Sequence, residues 1–440
     1  MKIQELSGKK VCILGFGKEG HAMFRAIEDH APDAHVTIAD RNPDPINAWI
    51  AANSPTNPTK LKHSLNSHGG ETVWLQKIES FDVIIKSPGI PHQPEFDSVK
   101  NKLTSSTQIF FDTIKDSGAI VIGVTGSKGK STTSTLIYEI LKAGGKDVSL
   151  IGNIGEPAIS HIEEAKTGKI FVMEMSSYQL MDLTVSPQIA VVTSFFPEHL
   201  DYHGSLEAYK DAKKHIAKYQ TKDDVIFYCA TSEGATEIAQ TSSGEKIPFS
   251  ATDCPVKIEE TKLIGDHNRS NIAGAYTLGL RLGLDSKKMI DVIKSFRGLP
   301  HRLQSLGVHH DIEWVDDAIS TTPESTIAAL DALGDRVKTI ILGGQDRGND
   351  FTELAQRIKH SAVKTVILFP GTGPRIREAI GDAHADVCFQ EADSMEKAVE
   401  IAKKHTMAGA IVLLSTASPS YNMFKNFEEK GEEFKRWIML

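Results

Sequence analysis

Ile120-Val121-Ile122-Gly123-Val124-Thr125-Gly126-Ser127-Lys128-Gly129-Lys130-Ser131-Thr132-Thr133 is the stretch that decides the fold of this 440-residue chain. The apolar run Ile120–Val124 reads as a strand that passes through a glycine turn into a helix pattern. Backbone N–H groups in such a loop wrap phosphate oxygens, and here Lys130 would neutralise β- and γ-phosphates while Ser131 can coordinate Mg²⁺. The spacing departs from the common phosphate loop, which wants glycine where Val124 stands; the glycines fall instead at Gly123 and Gly126.

The same alternation extends in both directions. Short apolar runs such as Val11–Leu14, Val83–Ile85, Phe171–Met173, Ile189–Val192, Thr339–Leu342, Val366–Phe369 and Ile411–Leu414 are separated by longer amphipathic stretches. Strand and helix in alternation predict an α/β protein with parallel sheets covered by helices. At this length one core does not suffice, and breaks near residues 104–116 and at Gly298-Leu299-Pro300 divide the chain into three α/β domains, 1–109, 110–299 and 300–440. The tract Asn53–Gly70, rich in Ser, Pro, Asn and Gly, reads as a loop or poorly ordered insertion.

Composition narrows the function classes. A net charge of -8 gives no footprint for nucleic acid or an anionic membrane. No apolar run is long enough to span a bilayer, and the start, MKIQELSGKKVCILGFG, has no signal-peptide pattern, so a cytoplasmic protein is expected. Cys12, Cys229, Cys254 and Cys388 are widely spaced, against a disulfide framework or a zinc site.

A second glycine loop, Gly15-Phe16-Gly17-Lys18-Glu19-Gly20, follows the first strand, and Asp40 ends the next one. That context suits a nucleotide diphosphate at a helix N-terminus, and equally a tight turn with no ligand. NAD is a competing ligand for this loop, and an NAD-linked oxidoreductase is the alternative from another class.

The run Gly123-x-Thr125-Gly126-Ser127-x-Gly129-Lys130-Ser131-Thr132 resembles the ATP loop of the Mur ligases and folylpolyglutamate synthases. Matching segments follow in family order: Gly152-Asn153-Ile154-Gly155, Glu174-Met175-Ser176-Ser177, His199-Leu200-Asp201, Ala212-Lys213, His267-Asn268 with Asn271, and His301-Arg302. Asp317, Leu342-Gly343-Gly344 and Phe424-Lys425-Asn426-Phe427-Glu428 complete the series, so the resemblance covers nearly the whole chain. It implies a UDP-binding Rossmann-like domain, a central ATPase, and a C-terminal Rossmann-like domain for the incoming amino acid. The implied reaction is ATP-dependent amide-bond formation through an acyl phosphate, with two Mg²⁺ ions.

Residue roles follow from the resemblance. ATP is expected at Gly126, Ser127, Lys128, Gly129, Lys130, Ser131, Thr132, Asn268, Asn271, Arg302 and Asp317. Ser131, Glu174, His199 and a carbamylated Lys213 are the expected metal ligands, and Lys130, Glu174, His199 and Lys213 the catalytic set. The UDP-linked substrate is assigned to Gly15, Gly17, Gly20, Asp40, Ser87, Gly89 and Asn153. Each has a plainer reading: Glu174 as a solvated strand end, His199 as loop surface, and Lys213 as one of a solvated cluster with Lys210 and Lys214.

The tail Leu414–Glu428 resembles that of the glutamate-adding branch, in which residues matching Ser420 and Phe427 hold the glutamate side chain; Thr321 and Arg347 join that set. The implied partners are UDP-N-acetylmuramoyl-L-alanine, glutamate and ATP, the setting is the cytoplasmic stage of peptidoglycan synthesis, and a monomer is expected. Where most of that branch reads Asp-Ser-Lys-Ala-Thr-Asn, this chain reads Asp317-Ala318-Ile319-Ser320-Thr321-Thr322. Isoleucine cannot supply the lysine's charge, which Arg347 would have to replace by a two-pronged clamp. D-glutamate is the expected substrate, with L-glutamate or another Mur- or folylpolyglutamate-type substrate as the alternatives.

Overall fold

A computed structural model of the chain describes residues 1–44, 46, 47, 49, 66–69, 74–381 and 387–440. Three sheets organise them. The first contains β1 (Lys10–Leu14), β2 (His35–Asp40), β3 (Asn66–Gly69), β4 (Val83–Lys86) and β5 (Leu103–Thr104), all parallel, in the order β3-β2-β1-β4-β5. The second contains β6 (Ile120–Thr125), β7 (Asp147–Gly152), β8 (Lys169–Glu174), β9 (Ile189–Val192), β10 (Val225–Cys229) and β11 (Glu245–Phe249), again all parallel, in the order β11-β10-β9-β6-β8-β7.

The third sheet has the order β12-β13-β17-β14-β15-β16. Its strands are β12 (Gln304–His309), β13 (Ile312–Asp316), β14 (Val337–Leu342), β15 (Thr365–Leu368), β16 (Cys388–Glu391) and β17 (Ile411–Leu414). Only the β12–β13 hairpin is antiparallel. The α/β class with parallel-rich sheets is therefore as the alternation predicts. One expectation fails. Of the tract Asn53–Gly70, Asn66–Gly69 forms edge strand β3 rather than a loop, in register with Thr37–Asp40; the rest lies outside the described residues.

Residues Met1–Pro255 with Arg269–Ile293 form one compact unit, holding the first two sheets; Val256–Asn268 with Lys294–Leu440 form another, around the third. Parallel strands are covered on both faces, which is why they read as continuous apolar runs rather than alternating ones. All six residues of β8 are buried, as are all four of β4, β9, β15 and β17. The apolar core of the first unit runs from Val11, Ile13 and Phe24 to Phe171, Met173 and Val192 without a break.

Ligands of open α/β sheets bind beyond the strand C-termini, where neighbouring connections depart in opposite directions. Strand β6 is such a place in the second sheet, flanked by β8 and β9, and the phosphate loop leaves from its C-terminus. In the first sheet the point lies between β1 and β4, where Gly15 and Ser87 follow their strands.

Candidate active site

The loop after β6 enters α1 (Lys130–Ala143), so the strand, turn and helix read from the sequence are all present. Gly129 has φ of 84°, and a Cβ there would lie 2.2 Å from Asn271 Oδ1, so only glycine lets the loop close beneath Asn271. Ser127 is buried: its Oγ bonds the Phe196 carbonyl at 2.9 Å and Tyr209 Oη at 3.0 Å, and its N–H donates to Ser194 O. Lys130 Nζ donates to the carbonyls of Gly126 and Ser127, at 3.0 and 2.8 Å. Lys128 is exposed and reaches Glu198 at 2.5 Å. Ser131 is buried and Thr132 half-buried in the first turn of α1. Asn268 and Asn271 open α2 (Asn268–Arg281), and the Asn268 amide donates to Ile264 O.

Glu174 ends β8 and is 1% exposed, so it is no solvated strand end. Its Oε1 accepts from Asn153 Nδ2 at 2.8 Å, while Oε2 is buried with no hydrogen-bond partner. A buried carboxylate oxygen left unpaired is costly, and a cation is what satisfies it. Asn153, expected at the UDP-linked substrate, gives one amide N–H to Glu174.

Lys213 lies in the helix Leu206–Lys214. Its neighbours Lys210 and Lys214 pair with Glu237 and Asp211 and keep a solvent-accessible side chain, whereas Lys213 is 1% exposed. Its Nζ donates to Gly126 O at 2.9 Å and stands 4.8 Å from the centre of the Tyr209 ring. Burial first, and then the charge of Lys130, hold its pKa well below the usual lysine value; Glu198 and Glu174 pull the other way. Such a depression favours the neutral amine over the ammonium.

His199 is exposed, with φ of 56°, and its ring lies 5.1 Å from Tyr178 and 6.0 Å from Tyr209. Among the described residues no three His, Cys, Asp or Glu form a ready-made metal cage. Magnesium does not require one, since it takes one or two protein oxygens together with phosphate oxygens and water.

In the first sheet, a cleft of about 670 Å³ is lined by Gly15, Asp40 and Gly89 together with Arg41, Trp74 and Gln93. Gly17 and Gly20 stand at the entry to the helix Lys18–His30, and Ser87 Oγ donates to Gly15 O at 3.1 Å. Asp40 accepts from Phe16 N at 2.6 Å and Asn42 N at 2.8 Å, so its carboxylate stiffens the loop. Trp74, a flat apolar face beside that cleft, went unremarked in the sequence because it stands in no motif.

In the third-sheet unit Arg302 is exposed, and Asp317 is buried, accepting from Leu303 N at 3.1 Å and Ser415 Oγ at 2.8 Å. Burial pushes the Asp317 carboxyl up to about 6. Thr321 and Ile319 are half-buried, and Ile319 N–H donates to His301 O. The exposed Arg347 lies 5.6 Å over the Tyr421 ring, next to Ser420. Phe427 begins α3 (Phe427–Met439), its ring 6.1 Å from that of His301. The sequence did not mark Lys430, the fully buried lysine of α3, whose Nζ donates to Ser420 Oγ at 2.9 Å.

A glycine-lysine loop at the switch point of a parallel sheet, with a buried lysine and an unpaired buried carboxylate oxygen, suits the binding of phosphate and a cation. Comparison with known proteins agrees: residues 124–253 match the Mur ligase middle domain and residues 301–418 the Mur ligase glutamate ligase domain. The chain belongs to the Mur ligase family, whose members are ATP-dependent amide ligases. It is 33% identical to the UDP-N-acetylmuramoylalanine–D-glutamate ligase of Streptococcus sanguinis, over 98% of each chain. It is also 33% identical to the UDP-N-acetylmuramoyl-L-alanine–L-glutamate ligase of Salinispora tropica, over 100% of this chain and 99% of that one. Among solved structures, MurF of Thermotoga maritima in complex with ADP shares the fold at a TM-score of 0.57 and 18% identity, over 82% of this chain and 89% of that one. MurC of the same organism does so at 0.57 and 16%, over 97% and 98%. Family membership removes the NAD-linked oxidoreductase. Among the described residues no helix is long and apolar enough to cross a membrane.

Proposed function

We propose that this chain joins D-glutamate to UDP-N-acetylmuramoyl-L-alanine, as a cytoplasmic monomer in peptidoglycan synthesis. Residues 1–109 take the UDP-linked substrate, 110–299 hold ATP, and 300–440 take the amino acid. The observation that carries the chemistry is the meeting of Lys213, the Gly126 carbonyl and the phosphate loop, with Glu174 Oε2 buried and unpaired nearby.

In the reaction, a carboxylate oxygen of the alanyl group attacks the γ-phosphorus of ATP and ADP leaves. The amine of glutamate then attacks the acyl phosphate, loses a proton, and phosphate departs. Both partners in the first step are anions, so positioning and charge neutralisation dominate and no nucleophilic side chain is required. Lys130 supplies one cation. Lys213 acts differently: its neutral amine adds to CO₂ and loses a proton, giving a carbamate with oxygen donors.

Magnesium fits the site, because Glu174 Oε2 is a buried hard oxygen donor without a partner. Glu174, Ser131, His199 and carbamylated Lys213 are the residues that would hold two such ions, whose contribution is to neutralise charge between the γ-phosphate and the substrate carboxylate.

The test is phosphate release with ATP, Mg²⁺ and UDP-N-acetylmuramoyl-L-alanine against a panel of amino acids. Release with D-glutamate well above that with L-glutamate, glutamine or aspartate is expected. A preference for L-glutamate overturns the stereochemical assignment, and release with none of them overturns the substrate.

A further inference from the structure

Lys430 is 0% exposed on α3, in a helix turn whose other long polar residues, Glu428, Glu429 and Glu432, face solvent. Its Nζ donates to Thr416 Oγ1 at 2.7 Å and to Ser420 Oγ at 2.9 Å, both neutral hydroxyls. The nearby acids are otherwise engaged. Asp316 bonds His301 Nδ1 at 2.7 Å and Ala318 N at 2.9 Å, and Asp317 bonds Leu303 N and Ser415 Oγ. Burial draws the Lys430 pKa down to about 8, against the pull of Asp316 and Asp317. Asp316 and Asp317 act on the ammonium only through space, and its direct partners are hydroxyls, through which its charge can polarise a further contact.

An ammonium donates and never accepts, so in both bonds the hydroxyl oxygen is the acceptor. Thr416 commits its own proton to Ser418 O at 2.9 Å. The Ser420 proton has no acceptor among the described residues, and donation from a cation makes such a hydroxyl a stronger donor in turn. A hydroxyl so polarised is a ready donor to an anion bound beside it. The surroundings are those of the proposed amino-acid pocket: Gln345 N donates to Pro419 O beside it, and Thr416 Oγ1 also reaches Ser320 O, the neighbour of Ile319. Phe427 starts the same helix three residues before Lys430.

We propose that Lys430 is a positioning residue for the amino-acid substrate, delivering through the Ser420 hydroxyl the positive charge to the side-chain carboxylate that Ile319 cannot supply. The proposal deepens the glutamate-ligase reading and rests on it. The charge enters from the C-terminal helix instead of from the turn after β13.

The test compares Lys430→Met, Ser420→Ala and the double variant in the full-length enzyme, measuring KM for glutamate, KM for ATP, and selectivity for glutamate over glutamine. Each single variant is expected to raise the glutamate KM about tenfold or more and to erode the preference over glutamine, while the ATP KM stays within about twofold. The double variant is expected to be no worse than the worse single, because both remove one relay. A purely structural role would lower melting temperature and active fraction but leave the glutamate KM and the selectivity unmoved. That result, or additive effects in the double variant, overturns the proposal. Should Lys430→Met fail to fold, Ser420→Ala with an unchanged glutamate KM overturns it alone. A wild-type enzyme that does not turn over glutamate at all defeats the functional reading, a different outcome from glutamate turnover with unmoved variants.

Discussion

Lys213 Nζ donates to the carbonyl of Gly126 at 2.9 Å, which joins a fully buried lysine to the turn of the phosphate loop. A charged lysine in that position would lie near Lys130 in a poorly solvated site, and both effects favour the neutral amine. Glu174 and Glu198 oppose them, but burial outweighs that pull and the net effect is downward.

Lys213→Ala is expected to be nearly inactive and to recover partly with added short carboxylic acids. A carboxylate entering the gap replaces carbamate oxygens, whereas an amine would replace an ammonium. Steady-state rates with acetate and with methylamine decide between them: rescue by the amine alone contradicts the carbamate.

Arg347→Ala is expected to raise the glutamate KM at least tenfold with little change in the ATP KM, since the carboxylate would lose a two-pronged guanidinium partner. Adding Ile319→Lys to that variant returns a charge at the half-buried turn and is expected to recover part of the affinity. An Arg347→Ala enzyme with unchanged glutamate KM removes Arg347 from the pocket and leaves Lys430 and Ser420 as its source of charge.

Lys430 also leaves a mark on stability. Its folded pKa of about 8 lies below the ordinary 10.5, so its contribution is fully present above 10.5 and is lost as pH falls through 8. Relative to Lys430→Met, the wild type is expected to lose on the order of 3 kcal/mol between those limits and nothing further below them. Thermal denaturation of both proteins from pH 7 to 10.5 checks this; a constant difference across the range contradicts it.

The parallel sheets were legible because strands covered on both faces must be apolar throughout, and each of the eight apolar runs falls in or at the end of a strand. Strand β3 escaped, since Asn66-Ser67-His68-Gly69 is polar and looks like a loop. Glu174 and Lys213 were legible through the family resemblance, whereas the burial that sets Lys213 apart from Lys210 and Lys214 is seen only in three dimensions. A motif fixes a position but not its contacts, and the hydrogen bond from Asn153 to Glu174 is seen only in the structure. Lys430 was hidden among the charges of an amphipathic helix. The one local sign was Gly431, unusual inside a helix and required because a Cβ there would lie 2.0 Å from His301 Nδ1.

In the proposed reaction the carboxylate of the UDP-linked substrate is activated by phosphoryl transfer before the amine attacks. The direct measurement uses UDP-N-acetylmuramoyl-L-alanine labelled with ¹⁸O in its carboxylate, turned over with ATP, Mg²⁺ and glutamate, with mass analysis of the released phosphate. Each released phosphate is expected to carry one oxygen from the labelled carboxylate, because that oxygen bridges carbon and phosphorus in the acyl phosphate. Ligation that proceeds while the phosphate stays unlabelled would contradict it.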